Sequence, residues 1–311
     1  MIPTRSFAQK KNLLLAFDAF GTLFAPKGHV TDHYAAFARH HGIDVPSKNA
    51  NPSIKDAFRA AYKHEFKTHP NYGKAVNMGA EQWWANVIKG TLSHYLKPKQ
   101  SIPHALVNDL LTHFSTSDGY TMPPDVMPFF KMLRAKKRKP EQVPEWMWDN
   151  TIVGVITNSD DRVPSILESL GLTVGPRRVG TSAERKICSS MDDDISFVVL
   201  SYDVGYQKPD KRIFDAAIEM GKETLADGPE GLDIQDFEKL YVGDSIDEDY
   251  HAAQAAGWNA CLLERSEPST WNAAEYDVHH RDDPNDQQPK KVDVIRTITS
   301  LVNWSPSEPK P

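Results

Sequence analysis

Asp18 closes the apolar run Leu13 to Phe17 and is followed by Gly21 and Thr22. A carboxylate there is either a nucleophile at the end of a buried strand or simply the polar start of a turn. Three other apolar runs end in polar groups. Thr157-Asn158-Ser159 follows TIVGVI, Lys208-Pro209 lies downstream of SFVVL, and Gly243-Asp244-Ser245 follows KLYV, with Asp247 and Asp249 just beyond. If these runs are parallel strands of one sheet, the endings share an edge, where open α/β sheets bind ligands. Asp18 is then a candidate nucleophile, with Lys208 a cation offsetting its charge. Thr157 and amides at a helix start could hold phosphate oxygens. Asp18, Asp244 and Asp249 offer the hard oxygen donors that suit Mg²⁺.

The elements that must position these groups are legible from periodicity. Leu13 to Phe17, Thr151 to Ile156, Ser196 to Leu200, Lys239 to Val242 and Asn259 to Leu263 read as strands. Between them, Val163 to Leu170, Lys211 to Met220 and Glu248 to Ala256 read as helices, each closed by a glycine. Such alternation means βαβ units around a parallel sheet. The interval after the first strand is instead helical throughout: Val30 to His41, Ser53 to Lys67, Ala80 to Leu96 and Pro103 to Phe114. Its aromatic stripes (Phe58, Tyr62 and Phe66; Trp83 and Trp84) are expected in helix-on-helix packing, and His40-His41 in solvent. Pro123-Pro124 starts a further helix to about Lys136, and Val292 to Trp304 reads as a closing amphipathic helix. Residues 173–194, 222–238 and 267–291 are polar and read as loops, the last as disordered. Within it, His279-His280 near Asp282 and Asp283 reads as a solvated loop, with a metal site as the alternative.

Composition narrows the function classes. A hydrophobic share of 40% in 311 residues supports a sizeable core, and the net charge of −6 argues against a nucleic-acid partner. No apolar run reaches the ~20 residues of a membrane helix, so no membrane role is expected. Cys188 and Cys261 have no metal or redox spacing and read as reduced thiols. A cytoplasmic protein is expected, with nucleus or mitochondrion as alternatives, because the first twelve residues are basic and lack acids.

In this order, DAFGT, ITNS, KPD and GDSIDED resemble the four motifs of the haloacid dehalogenase superfamily, over about Leu13 to Leu263. The chain is similar in outline to its eukaryotic haloacid dehalogenase-like hydrolase domain-containing branch. The resemblance implies a Rossmann-like parallel α/β core, residues 13–23 and 123–304, with an inserted α-helical cap, residues 24–122. It implies hydrolysis through a covalent aspartyl intermediate on Asp18, the transferred group being bound by Thr157 and Lys208, with Gly21, Thr22 and Asn158 as further substrate-binding residues. Mg²⁺ would be held by Asp18, the backbone carbonyl of Phe20 and Asp244, with Asp249 a ligand or a support. A small phosphorylated substrate follows, and a protein partner or a homodimer stays open.

One position departs from the pattern. Phosphatases of the superfamily carry a second Asp two residues after the nucleophile, as acid and base, and Phe20 stands there. General acid–base help is worth ~10²–10⁴ in rate, so activated phosphates, acyl or aryl, are the expected substrates. The 2-haloacid dehalogenases also carry an aromatic residue there, since a halide leaves without a proton. They work without metal, however, and lack the acidic fourth motif that this chain keeps, and neither Arg39 nor Arg59 is convincingly placed to hold a halide. Three readings follow: a Mg²⁺-dependent phosphatase-type hydrolase, a ligand- or protein-binding module that has lost catalysis, and a 2-haloacid dehalogenase.

Overall fold

The computed structural model describes residues 11–46, 51–181, 193–226, 231–265, 277–282 and 291–306. Strand β1 (Asn12–Phe17) leads into a two-residue β2 (Ala25–Pro26), and then the helices begin. These are α1 (Val30–His40), α2 (Ile54–Thr68), the single turn α3 (Pro70–Gly73), α4 (Ala80–Leu92) and α5 (His104–His113). Ser53 caps α2, its hydroxyl accepting from the Asp56 amide. Strand β3 (Tyr120–Thr121) pairs antiparallel with β2, so the helical stretch leaves and re-enters the sheet region through one narrow ribbon.

After α6 (Val126–Arg138) the alternation begins: β4 (Asn150–Thr157), α7 (Val163–Ser169), β5 (Val174–Arg178), β6 (Ile195–Leu200), α8 (Ser201–Val204) and α9 (Lys211–Ala226). It continues with β7 (Phe237–Gly243), α10 (Ala252–Ala255), β8 (Asn259–Leu263), β9 (His279–Asp282) and β10 (Lys291–Ile295). The eight-stranded sheet has the order β5-β6-β4-β1-β7-β8-β10-β9, parallel except for β9. Period-two alternation divides β1 between two cores: Leu13, Leu15 and Phe17 face one hydrophobic cluster, Leu14 and Ala16 the other. A strand buried on both faces must be apolar throughout, which is why LLLAF shows no alternation.

Several expectations give way. Val292 to Trp304 is not a helix: β10 takes Lys291–Ile295 because pairing with β8 and β9 buries Val292 and Val294, and only a 3-10 turn, Ile298–Asn303, follows. The interval 173–194 holds strand β5, and 222–238 is consumed at both ends by α9 and β7. Glu248 to Ala256 opens as a π-helix over Ile246–His251 before α10. Most of 267–291, like the first ten residues and Cys188, lies outside the described residues. Its described part pairs as β9, where His280 Nδ1 lies 2.8 Å from Asp293 Oδ1. Among the described residues no helix is long and apolar enough to cross a membrane.

Candidate active site

Register brings the site together. Phe17 is level with Val155 on β4 and Val242 on β7, so Asp18, Thr157 and Asp244 emerge from adjacent strands at one edge. The Asp18 amide donates to the Val242 carbonyl at 2.9 Å, which holds the backbone as the chain leaves the sheet. Lys208 arrives from the segment between α8 and α9. Its backbone is clamped by Asn158, whose Oδ1 accepts from the Lys208 amide (2.7 Å) and whose Nδ2 donates to the Lys208 carbonyl (3.1 Å).

The Lys208 ammonium is buried and reaches Asp18 Oδ1 (2.8 Å), Asp249 Oδ1 (2.6 Å) and the Tyr241 hydroxyl (2.8 Å). An ammonium has three protons to donate, and three acceptors stand in place. Tyr241 passes its own proton on, donating to the Ile156 carbonyl at 2.7 Å. Asp249 also accepts from the Ser245 amide at 2.9 Å. Burial alone would depress Lys208, but Asp18 and Asp249 hold its ammonium above the ordinary lysine range. Burial lifts the Asp18 carboxyl above its ordinary value; Asp249 adds to the rise, while Lys208 and the Thr157 hydroxyl oppose it. Asp244 is pushed up to about 6, by burial first and then by Asp18 and Asp249.

Three carboxylates, Asp18, Asp244 and Asp249, thus bring ligand oxygens within 4.8 Å of one another, with one ammonium among them. The chemistry available is nucleophilic attack by Asp18 on a group bound beside Lys208 and Thr157. The arrangement also has an excess of negative charge, which a divalent cation would balance.

Above this edge lies a cavity of about 400 Å³, whose floor includes Asp18, Thr157, Asn158, Lys208, Asp244 and Asp249. Phe20 lines it too, its ring 4.6 Å from Phe24 and 5.8 Å from Tyr120. Gly21 and Thr22 do not line the cavity. Gly21 has a positive φ of 78°, and Thr22 is fully buried, its carbonyl accepting from Arg265 at 2.6 Å. Trp83 packs in the interior as expected, but Trp84, Phe58 and Tyr62 turn into the cavity, and Phe66 is 47% exposed. A helical stripe shows which side of a helix is apolar, not whether a neighbouring helix or a cavity lies against it.

Two features escape the motifs. Tyr241 is one; its only signal is a hydroxyl within the apolar end of β7, between Leu240 and Val242. The other is the buried pair Asp160–Arg162: the guanidinium binds the carboxylate through Nε and Nη2, both at 2.8 Å, and Nη1 donates to the Phe114 carbonyl. Trp84 joins them, donating from Nε1 to Asp160 at 3.0 Å while its ring lies 4.6 Å beneath the guanidinium.

Comparison with known proteins identifies the family and the fold. A family model described as haloacid dehalogenase-like hydrolase matches residues 13–257. The chain is 28% identical over 261 residues to a Saccharomyces cerevisiae protein named only as uncharacterized, covering 82% of this chain and 72% of that protein. It is 27% identical to haloacid dehalogenase-like hydrolase domain-containing protein 3 of Mus musculus, covering 82% and 83% of the two chains. Among solved structures it resembles a 2-haloacid dehalogenase of Pseudomonas syringae pv. tomato (TM-score 0.51, 17% identity, 93% and 96% covered), a likeness of fold.

Proposed function

The chain belongs to the haloacid dehalogenase-like hydrolases, and from that premise we propose that it is a phosphatase-type enzyme acting on small activated phosphates. The observation that carries the reading is the Asp18–Lys208–Asp249 cluster beside Asp244 at the floor of the cavity. An Asp18 carboxylate oxygen forms a bond to phosphorus as the ester or anhydride P–O bond breaks and its electron pair departs on the leaving oxygen. Water then attacks the phosphorus of the aspartyl phosphate, freeing inorganic phosphate and restoring Asp18. Lys208 holds Asp18 in place, and Thr157 is positioned to meet the phosphoryl oxygens. Position 20 offers no acid, so the leaving oxygen must depart unprotonated.

The carboxylate cluster fits Mg²⁺: hard oxygens, three carboxylates against one ammonium and so two positive charges short of neutrality, and Asp244 raised by burial and then by its anionic neighbours. Asp18, Asp244 and the Phe20 carbonyl would hold the ion, with Asp249 as a support already bonded to Lys208. When bound, it would neutralise charge on the phosphoryl group. Residues 24–122 act in this reading as a cap over the core of 13–23 and 123–304, excluding water from the cavity. The test is phosphate release from p-nitrophenyl phosphate with Mg²⁺. Turnover lost in Asp18→Asn and in EDTA supports the reading. Turnover equal to the Asp18→Asn control, or unaffected by EDTA, overturns it and leaves the cavity as a binding module or a site for metal-free halide release.

A further inference from the structure

We propose that the cavity selects the leaving group, taking a flat, uncharged, apolar ring, so that the substrates are aryl phosphates rather than acyl phosphates or phosphates of charged metabolites. The proposal rests on the phosphate-transfer reading above and narrows it.

Two independent observations converge on it. The first is the character of the wall. Among the described residues, everything that 24–122 contributes to the cavity is uncharged, and Tyr34, Phe58, Tyr62, Tyr72, Trp84, Phe114 and Tyr120 make most of it aromatic. The one cation away from the Asp18 floor, Arg162, has its charge neutralised: Asp160 takes it through two N–H groups, and the Phe114 carbonyl accepts a third of its five. Glu248, the remaining charge, is anionic and held by Asn158. A second anionic group on the substrate would therefore meet no cation that a carboxylate does not already neutralise, and its burial would be penalised. A flat ring would instead meet ring edges and faces throughout. Tyr72 is delivered to this wall from a turn in which Asn71 and Tyr72 both adopt positive φ (49° and 57°), tied to the core by Asn71 Nδ2 donating to the Ser201 carbonyl. Strain of that kind persists where the surroundings enforce it.

The second observation is chemical. With no acid at position 20, the P–O bond must break onto an oxygen that is stable as an anion. A phenolate is, and takes its proton afterwards from water; a carboxylate is as well, an alkoxide is not, so this observation excludes alkyl phosphates and the choice of aryl over acyl rests on the wall. Both observations meet at Phe20, whose ring removes the acid and, against Phe24 and Tyr120, closes the wall.

The test has a binding arm and a kinetic arm. In calorimetric titration, 2-naphthol should bind at least about tenfold more tightly than 6-hydroxynaphthalene-2-sulfonate. Tyr62→Arg, at a half-exposed position on the wall, should reverse that order, and Leu111→Lys should do the same from α5. In kinetics, kcat/KM for 2-naphthyl phosphate should exceed that for acetyl phosphate, with Asp18→Asn as blank. Equal binding of naphthol and its sulfonate, an unchanged order in both variants, or acetyl phosphate matching naphthyl phosphate overturns the proposal while Asp18-dependent turnover leaves the phosphatase reading standing. No Asp18-dependent release from either phosphate removes that reading and this proposal with it.

Discussion

A Cβ placed on Gly21 would lie 2.1 Å from Oδ2 of Asp244. The Asp244 carboxylate can therefore hold its place over the turn after β1 only with a bare backbone at position 21, whose φ of 78° asks for glycine as well. Gly21→Ala should displace Asp244 and strain the turn, destabilising the fold by more than ~1 kcal/mol and abolishing phosphate release. Thermal denaturation and p-nitrophenyl phosphate turnover check this. A fully active Gly21→Ala would mean that the placement of Asp244 is irrelevant to the reaction.

Lys208 separates two buried carboxylates and fills all three of its protons in doing so. Lys208→Met leaves Asp18 and Asp249 facing each other uncompensated, a loss of about 3–5 kcal/mol readable as a fall in urea midpoint at neutral pH. Because Lys208 is raised in the folded state from its ordinary 10.5, the stability it supplies is complete below that pH. It is lost as the pH climbs through the folded value. The gap between wild type and Lys208→Met should therefore persist up to about 10.5 and narrow only above it.

Phe20→Asp restores the acid that the family's phosphatases carry. If the rest of the machinery is competent, hydrolysis of an alkyl phosphate such as glycerol 3-phosphate should rise by ~10²–10⁴, with some loss of stability because the ring packs on Phe24 and Tyr120. No gain in a folded variant would count against Asp18 as a working nucleophile.

Burial would raise Asp160, but Arg162 overrides it and the carboxyl sits below its ordinary 3.8. A depressed carboxyl stabilises the fold fully above the unfolded value and ceases to do so as the pH falls through the folded one. Asp160→Asn should therefore destabilise the protein by about 3–5 kcal/mol at pH 7, since it strands a buried guanidinium. The difference from wild type should shrink only below about 3.8, which urea midpoints measured across an acid titration would show.

The sequence by itself determined the strands and the edge they share. A run as apolar as LLLAF is stable only between two covered faces, and strand-helix alternation with glycine closures leaves a parallel sheet as the way to bury all such runs. Once that is given, Asp18, Thr157, Lys208 and Asp244 must converge, because each follows a run ending on the same edge. Tertiary structure decided what depends on residues far apart in the chain. Tyr241 joins the site only because the Lys208 ammonium, thirty-three residues away, comes within 2.8 Å of it. Arg162 is neutralised by Asp160 and stacked over a tryptophan from another part of the chain. The C-terminal segment is a strand because β8 offers it an edge, a stronger demand than its own weak helical pattern. Whether Phe58, Tyr62 and Trp84 pack on a helix or wall a cavity is likewise outside the reach of periodicity, which ranks faces by polarity and says nothing of the space in front of them.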